Sequence, residues 1–349
     1  MVSSELLSIG LLAFATFTIS AWLTSWLCQP GSRLYVLDHP NERSLHSHPT
    51  PRTGGIAIVV AILVSATVFI HLSDDIWREF AQLGIAVLLV AVVSFVDDRK
   101  PLPIGLRLAV HLFAAFIVTY HAGIVAVLAV EAPVPAMVVQ VLVILYLVWM
   151  LNLYNFMDGM DGFAGGMTLI GFGTYAVLGW RAEQEVFAGL SLLVACSASG
   201  FLLFNFPRAR IFMGDIGSSV LGLLAGVFSV WGASKGIFTL WIGVLVFLPF
   251  VMDSTITLAR RLIKREKFWQ AHKNHYYQRL VQVGWGHRRT VLVEYLMMLI
   301  CGGGAIAAQG SSIQRQLILF SLISLFFIGF FRFVRILELR AERGRQSIA

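Results

Sequence analysis

Charged residues are scarce in this chain. Of its 349 residues, 13% are charged and 58% are hydrophobic, whereas about a quarter of the residues in a typical soluble domain are charged. Cysteine is also rare: Cys28, Cys196 and Cys301 lie far apart and lack the CxxC spacing of zinc and redox motifs. This spacing argues against a disulfide framework or a zinc site. The composition therefore predicts a protein that lies within a lipid bilayer.

Long apolar runs recur along the whole chain. A helix that spans a bilayer needs about 20 mostly apolar residues, and eleven runs approach that length. The first run is too long, and too lightly flanked by positive charge, for a cleaved signal peptide. We therefore expect an all-α, polytopic integral membrane protein of about eleven transmembrane helices, with residues 1–349 as a single transmembrane domain. The predicted spans are Leu6–Leu27, Gly54–Leu72, Phe80–Val96, Ile104–Tyr120, Val134–Tyr154, Phe163–Trp180, Phe187–Phe206, Ile216–Trp231, Ile237–Leu258, Thr290–Ala308 and Leu317–Phe333.

The basic residues are distributed unevenly between the two sides of the predicted bundle. One side receives 22 of the 26 Lys and Arg residues, when Arg107 is counted with its adjoining loop. An excess of Lys and Arg marks the cytoplasm. The pattern predicts a periplasmic N-terminus, a cytoplasmic C-terminus and a cytoplasmic loop at 259–289 that is rich in basic residues and histidine. The other side receives only Arg78, Arg181, Lys235 and Arg315.

Five polar patterns interrupt the apolar runs, and all of them lie on the predicted cytoplasmic side. Carboxylates and amides at membrane depth are costly and by default mark a functional site. Helix capping at the water interface would explain any single pattern, but it does not explain five on one side. The patterns are residues 38–55, Asp97-Asp98-Arg99-Lys100, residues 152–162, residues 205–218, and His272–Arg279 followed by Gly286-His287-Arg288-Arg289.

Up to five aspartates gather in these patterns. Asp158 and Asp161 share one face if their segment is helical, and Asp97, Asp98 and Asp215 would join them around one cavity. Like charges raise one another's pKa unless a cation intervenes. Oxygen ligands suit Mg²⁺, with Mn²⁺ as a substitute, and the adjoining glycines allow close backbone approach to a phosphate. The sequence thus predicts a metal and nucleotide-diphosphate site.

Two histidines of the basic loop, His272 and His275, are three residues apart. Zinc coordination is one interpretation of such a pair, but no third soft ligand accompanies it. Hydrogen bonding to a substrate phosphate or sugar is the preferred interpretation. For most of the other charges in the loop, contact with anionic lipid is an equally good explanation.

In their order along the chain, these motifs resemble those of the polyprenyl-phosphate N-acetylhexosamine-1-phosphate transferases, of the glycosyltransferase family 4 type. The resemblance covers roughly residues 38–290. It implies that undecaprenyl phosphate attacks the β-phosphate of a UDP-N-acetylhexosamine, giving undecaprenyl-diphospho-sugar and UMP in the presence of Mg²⁺. The motifs are Pro51-x-x-Gly54-Gly55, Asp97-Asp98, Asn152-x-x-Asn155-x-x-Asp158-Gly-x-Asp161-Gly, Asn205 followed by Phe212-Met-Gly-Asp215, and the histidine loop.

The resemblance also implies a role for each motif residue. Asp215 is the expected magnesium ligand, with Asp97 beside it. A phosphate monoester is already largely dianionic at neutral pH, so we expect direct in-line attack, with Asp97 positioning the metal or the nucleophile. The expected catalytic residues are Asp97, Asp98, Asp158 and Asp161. The expected substrate-binding residues are Asn152, Asn155, Asn205, Arg107, His272, His275 and Arg279.

Departures from the family pattern bear on the branch. Asn274 stands where relatives have a histidine, while Pro249-x-x-x-Asp253-Ser resembles the GlcNAc-transferring branch. The run His272–Arg279 looks most like enzymes that transfer GlcNAc- or FucNAc-1-phosphate and initiate O-antigen synthesis at the bacterial inner membrane. The alternative within the family is the phospho-MurNAc-pentapeptide transferase of peptidoglycan synthesis, and the alternative of another class is a transporter of lipid-linked substrates. Membrane lipid and a homodimer are compatible partners, and no nucleic acid is expected.

Overall fold

The computed structural model describes residues 2–40, 44–72, 77–121, 134–266 and 272–346. Within these ranges the chain forms thirteen α-helices, one two-stranded ribbon and one π-helical turn, which confirms the predicted all-α, multi-pass membrane class. The helices are α1 (Val2–Leu27), α2 (Gly54–Leu72), α3 (Trp77–Arg99), α4 (Ile104–His121), α5 (Ala136–Met157), α6 (Phe163–Arg181), α7 (Glu185–Asn205), α8 (Gly214–Ser234), α9 (Leu240–Val246), α10 (Leu248–Ile263), α11 (Tyr276–Leu280), α12 (Gly286–Ala308) and α13 (Ile313–Gln346).

The number of full-length spans differs from the predicted eleven. In the described ranges, nine helical segments are long and apolar enough to cross a membrane, and the bent pair α9–α10 makes a tenth. The axes of that pair differ by 83°, at a break directly before Pro249, which lacks the backbone N–H that a continuous helix requires. The remaining predicted span, Ile104–Tyr120, is present with these bounds as an apolar helix that is shorter than the other spans.

The predicted basic loop at 259–289 contains much regular structure. It includes the end of α10, the short helix α11, a π-helical turn over Val281–Trp285 and the start of α12, while residues 267–271 lie outside the described ranges. Gly284, with a φ of 97°, breaks the helical path between α11 and α12. Such a φ strains any residue with a Cβ. The loop is therefore a bent helical entry into α12.

Helix α8 lies at the centre of the bundle. Its apolar window is 94% buried, against 22% for α1 and 17% for α13. Helices α2, α3, α5 and α9 all pack against it. Lipid tails are as apolar as leucine, so membrane helices associate through close packing and polar contacts rather than through a hydrophobic driving force. The start of α8 is consequently the best-anchored point on which to build a site.

Two glycines allow α2 to cross α8 at close range. The backbone N–H of Gly55 donates to the carbonyl of Met213 over 2.8 Å, and that of Gly54 donates to Phe212 over 3.0 Å. A Cβ on Gly55 would overlap the backbone of Gly217 in α8. The Pro-x-x-Gly-Gly motif therefore joins the start of α2 to the turn that precedes α8.

The substitution Gly55→Ala is expected to destabilise this crossing by about 1–3 kcal/mol, because the new methyl group meets backbone atoms that have no space to retreat. Thermal unfolding of the detergent-solubilised protein measures the effect. Gly84→Ala in α3 is the matched control, since a Cβ there has no atom within 4 Å. Equal unfolding temperatures for the two variants would contradict the close crossing.

Candidate active site

A cavity of about 190 Å³ opens where the five polar patterns meet. Each pattern contributes at least one residue to its wall, which is the gathering that the sequence predicted. The wall is mostly polar and combines five aspartates with an arginine and two histidines. The lining residues are Asp38, Ser44, Leu45, His46, Arg52, Asp98, Asn155, Asp158, Gly159, Met160, Asp161, Asn205, Phe212, Gly214, Asp215, Gln278 and His287.

The first pattern enters the cavity through a short antiparallel ribbon. Strand β1 (Leu37–Asp38) pairs with β2 (Thr50–Pro51), which brings the two ends of the 38–55 segment together. Arg52 Nη1 lies 3.8 Å from Asp38 Oδ1, and His46 Nε2 lies 3.6 Å from Asp38 Oδ2. The ribbon thereby places a cation at the edge of an otherwise acidic wall.

Asp98 ties the end of α3 to the start of α8. Its carboxylate is 3% exposed and accepts hydrogen bonds from the backbone N–H groups of Asp215 and Ile216, each over 3.3 Å. Free N–H groups and the helix dipole make a helix N-terminus a favourable place for a carboxylate. Arg52 Nε adds a charge contact at 3.7 Å from Oδ1. Asp98 thus fixes the turn that carries Asp215.

Asp215 is the more accessible acid at this turn. Its side chain is 35% exposed, and Arg107 Nη1 lies 3.7 Å from its Oδ2. Asn155 donates from Nδ2 to Asp215 Oδ1 over 2.9 Å and to Ser218 Oγ over 3.1 Å. These contacts hold the orientation of the carboxylate and leave part of it open to the cavity.

Asp97 lies beside Asp215 but does not line the cavity. Its Oδ2 accepts from Arg107 Nη1 over 2.5 Å, and its Oδ1 accepts from the backbone N–H of Leu102 over 2.7 Å. The side chain is 9% exposed. Arg107 therefore bridges Asp97 and Asp215, and the two carboxyl groups of the predicted metal pair also interact directly with each other.

Asp158 lies in the connection between α5 and α6, so the premise of a shared helix face with Asp161 does not hold. Burial raises the pKa of the Asp158 carboxyl well above its usual range, and the nearby carboxylates of Asp215 and Asp98 raise it further. Desolvation and like charges both favour the protonated acid. Independently of this shift, five aspartates against one arginine give the wall an excess of negative charge.

Asp161 is held by two partners on other segments. It accepts from the backbone N–H of Ala209 over 3.0 Å, and its Oδ1 lies 3.0 Å from His287 Nδ1. His287 belongs to the first turn of α12. Asp161 consequently joins the α5–α6 connection to the α7–α8 connection and to α12.

The predicted amide ligands divide between the cavity and its supports. Asn205 lines the cavity, but its amide is already engaged: Oδ1 accepts from the N–H of Gly162 over 2.9 Å, and Nδ2 donates to the carbonyl of Ile211 over 2.8 Å. Asn152 donates to the carbonyl of Val148 within its own helix over 2.7 Å. Asn155 is therefore the predicted asparagine whose contacts lie at the acidic cluster.

The two loop histidines lie behind the cavity wall. His275 is buried, with Nδ1 3.2 Å from Asp253 Oδ1, and its backbone N–H donates to Gln278 Oε1 over 3.2 Å. The rings of His272 and His275 lie 4.8 Å apart. Burial lowers the pKa of His272 to about 4, with further lowering from His275 and Arg261. His272 is therefore neutral at pH 7.

Arg279 faces a different part of the molecule. Its guanidinium forms a two-pronged contact with Glu338 of α13 and lies over the ring of Tyr276, with Cζ 4.5 Å from the centroid.

The structure thus brings Asp98, Asn155 and the other lining residues to one cavity. The predicted site residues that do not line this cavity are Asn152, Asp97, Arg107, His272, His275 and Arg279.

Sequence reasoning did not nominate several lining residues. Asp38, His46 and Arg52 belong to the first polar pattern, and His287 belongs to the fifth. The sequence pointed to these residues only because they belong to polar patterns on the same side of the membrane. No motif assigns a role to any of them. Gln278 also belongs to the fifth pattern, and its place in the wall depends on the path of α11.

The donor set at the cavity fits a hard cation. No group of three or more His, Cys, Asp or Glu residues in the described ranges forms a complete protein cage for a metal ion. Mg²⁺ usually takes only one or two carboxylates and completes its shell with water and substrate phosphates. Asp215 and Asp158 are oxygen donors of this kind, and five aspartates against one arginine leave negative charge in the wall for a cation to balance.

Comparison with known proteins shows what the chain resembles. Residues 80–233 match the model of glycosyl transferase family 4. The chain is 28% identical over 302 residues to a probable undecaprenyl-phosphate N-acetylglucosaminyl 1-phosphate transferase of Bacillus subtilis (strain 168), a match that covers 84% of this chain and 83% of that protein. The chain is thus similar to glycosyl transferase family 4 over its central part. The predicted resemblance is confirmed, and the protein is a phosphoglycosyltransferase.

Other relatives of this phosphoglycosyltransferase distinguish two branches. It is 29% identical over 334 residues to a decaprenyl-phosphate N-acetylglucosaminephosphotransferase of Mycolicibacterium smegmatis, covering 86% of this chain and 81% of that protein. The match to a phospho-N-acetylmuramoyl-pentapeptide-transferase of Enterococcus faecalis is 29% identical over 142 residues, with 40% of this chain and 42% of that protein covered. Similarity to the N-acetylglucosaminyl branch thus extends over about twice as much of the chain.

The Asp161–His287 contact in this phosphoglycosyltransferase is open to a double-mutant test. Asp161→Asn and His287→Gln are each expected to lower the unfolding free energy by about 1–3 kcal/mol, because each leaves a buried polar partner unsatisfied. The double variant should lose less than the sum. Thermal unfolding gives the values, with the exposed His48→Gln as control; strictly additive losses would show that the two side chains do not interact.

Proposed function

We propose that the enzyme transfers an N-acetylhexosamine 1-phosphate from its UDP donor to undecaprenyl phosphate, releasing UMP. Phosphoglycosyl transfer to a polyprenyl phosphate is supported by the names of the N-acetylglucosaminyl relatives. The observation that carries the proposal is the single cavity in which four motif aspartates meet Arg52 and His287. Phosphoryl transfer depends mainly on positioning and electrostatics, and this wall provides both.

Mg²⁺, or Mn²⁺ in its place, is the proposed cofactor. Asp215 would hold it, because its carboxylate is partly open and oriented by Asn155, with Asp158 as a further oxygen donor in the same wall. When bound, the ion would neutralise charge on the diphosphate of the donor. Asp98 would position Asp215 through the start of α8, and Arg52 would contribute positive charge at the rim.

The proposed acceptor has a plausible path from the bilayer. An apolar groove of about 510 Å³ runs between α3 and α4 and includes Val92, Leu102 and Leu106. Leu102 and Leu106 are close in sequence to Arg107, which bridges Asp97 and Asp215. A prenyl chain in this groove would bring its phosphate to Arg107 without leaving the membrane.

The contacts of Asp97 favour direct attack by the acceptor. A phosphate monoester has its second pKa near 6 and is largely dianionic at neutral pH, so no base is needed to activate it. Both oxygens of Asp97 are engaged, one by Arg107 and one by the N–H of Leu102. We therefore assign Asp97 to positioning Arg107, and not to a phosphorylated intermediate.

The cellular setting forms part of the proposal. The asymmetry of Lys and Arg supports a bacterial inner-membrane protein with a cytoplasmic active site, a periplasmic N-terminus and a cytoplasmic C-terminus. UDP-sugars are made on that side. The role in initiating O-antigen or another cell-surface polysaccharide, with a GlcNAc or FucNAc donor, is supported by the resemblance of the His272–Arg279 run. A homodimer is part of the same expectation.

Two alternatives have less support. The partial coverage of the phospho-N-acetylmuramoyl-pentapeptide-transferase relative favours the N-acetylglucosaminyl branch over the peptidoglycan step. A transporter needs access from both faces of the membrane, whereas the cavity draws on the five patterns of one side. The transferase names of the relatives support an enzyme as well.

Turnover with a panel of donors tests the proposed reaction. Purified protein, undecaprenyl phosphate and Mg²⁺ are incubated with UDP-GlcNAc, UDP-GalNAc, UDP-FucNAc and UDP-QuiNAc, and UMP is measured. We expect release with at least one donor and a loss of at least about a hundredfold for Asp215→Ala, since removing a charge-stabilising group typically costs two to three orders of magnitude. Glu342→Gln, an exposed change on α13, is the control with wild-type turnover. UMP release from no donor would overturn the proposal.

A labelling experiment separates direct attack from a two-step route. Donor labelled at the β-phosphate is mixed with enzyme and Mg²⁺ without acceptor, and the denatured protein is examined for bound label. We expect none, and we expect Asp97→Asn to slow turnover mainly through misplacement of Arg107. Label that remains on the wild-type protein and disappears in Asp97→Asn would establish an aspartyl-phosphate intermediate instead.

A further inference from the structure

A second cavity, of about 290 Å³, lies between the end of α10, the segment around α11 and the helix α13. It shares no lining residue with the cavity of the candidate active site, which is lined by five aspartates and is called the acidic cavity below. Its wall is dominated by cationic side chains, in contrast to the aspartates of the acidic cavity. The lining residues are Thr257, Arg260, Arg261, Lys264, Glu266, Lys273, Asn274, Arg279, Gln282, Arg335 and Glu338.

The second cavity, which we call the basic cavity, carries a surplus of positive charge. Six of its lining residues are Lys or Arg and two are Glu, a net formal charge of six minus two, or +4. The two glutamates are already paired, Glu266 with Arg261 at 3.3 Å and Glu338 with Arg335 at 3.2 Å. In the described ranges, Lys264 and Lys273 have no carboxylate within ion-pair distance. An anion that does not belong to the protein would therefore balance this surplus of positive charge.

One buried donor in the basic cavity lacks an acceptor. Arg279 is 7% exposed; its Nε and Nη2 contact Glu338, but its Nη1 finds no hydrogen-bond partner among the described residues. A buried N–H group without an acceptor costs about 1–3 kcal/mol. Such a cost is recovered when a bound anion supplies the acceptor oxygen.

Apolar side chains flank the basic cavity on the same helices. Leu262 and Ile263, between the lining residues Arg261 and Lys264, are 63% and 81% exposed. In α13, Ile336 adjoins Arg335 and is 48% exposed. Exposed aliphatic residues next to cations match a ligand that has both a charged headgroup and acyl chains. A free phosphate ion would not use this apolar rim.

We propose that the basic cavity is a binding site for an anionic phospholipid of the surrounding bilayer. The phosphodiester of the lipid would accept from Lys264, Lys273 and the free Nη1 of Arg279, and its acyl chains would lie along Leu262 and Ile263. Bound lipid would join α10 to α13 beside the Arg279–Glu338 contact. The site is separate from the acidic cavity, because the two cavities share no lining residue.

Native mass spectrometry of the full-length protein tests the site. Protein in detergent micelles is titrated with phosphatidylglycerol or with phosphatidylcholine of the same acyl chains, and retained lipid is counted. The double variant Lys264→Gln/Lys273→Gln is compared with Arg340→Gln/Arg343→Gln, which removes the same charge from exposed residues of α13 outside the basic cavity. Inorganic phosphate and glycerol 1-phosphate serve as soluble competitors, and thermal unfolding verifies that each variant is folded.

We expect preferential retention of phosphatidylglycerol by the wild type, a loss of affinity of at least about tenfold in Lys264→Gln/Lys273→Gln, and less than a twofold change in the control variant. Equal retention of the two lipids, or equal losses in the two variants, would overturn the proposal by reducing it to general charge attraction. Displacement of the lipid by millimolar inorganic phosphate would assign the cavity to a free anion instead.

Discussion

The carboxylate of Asp98 at the N-terminus of α8 is the contact on which the arrangement of the active site depends. The N–H groups of Asp215 and Ile216 have no partner within their own helix, and they bind a carboxylate that comes from the end of α3. This contact fixes the start of the most buried helix relative to α3, and Arg52 adds the 38–55 segment to the same carboxylate. Three segments that are distant in sequence thereby meet around Asp215. The burial of Asp98 is sustained by the helix dipole and by Arg52, since an isolated carboxylate at this depth would be too costly.

The acidic cavity and the basic cavity carry charge surpluses of opposite sign. At the first, the carboxylates of Asp98, Asp158 and Asp215 exceed the available cations. Burial, together with the neighbouring carboxylates, raises the pKa of Asp158. At the second, cations exceed carboxylates. The segment around His275 separates them, and Asp253 stabilises it by accepting the N–H groups of Tyr276 and Tyr277 over 2.9 and 3.1 Å. A metal ion with a diphosphate suits the first imbalance, and an anionic headgroup suits the second.

The sequence was sufficient to predict the helix class, the approximate positions of the spans and the meeting of the five polar patterns. Long apolar runs and charge on one side are visible in the sequence, and a membrane protein requires both. The break before Pro249 was not predictable, since hydropathy alone does not distinguish a straight span from a bent pair, whereas the predicted helix Ile104–Tyr120 is present with these bounds. Individual side-chain positions were the least predictable part. Asp97 and Asp98 are neighbours in sequence, yet one turns to Arg107 and the other to α8. That difference arises from the tertiary contacts of α3 with α4 and α8, which no local pattern encodes.

The position of Arg107 explains why Asp97 and Asp215 can have different roles. Its Nη1 lies 2.5 Å from Asp97 and 3.7 Å from Asp215, so the guanidinium is held by the first and shared with the second. A phosphate that approached along α3 and α4 would compete with Asp215 for Arg107, because a dianion attracts the guanidinium more strongly than one carboxylate does. Asp215 would then be freed to bind a cation at the moment the acceptor arrives. In this arrangement Asp97 would keep Arg107 in place during the exchange.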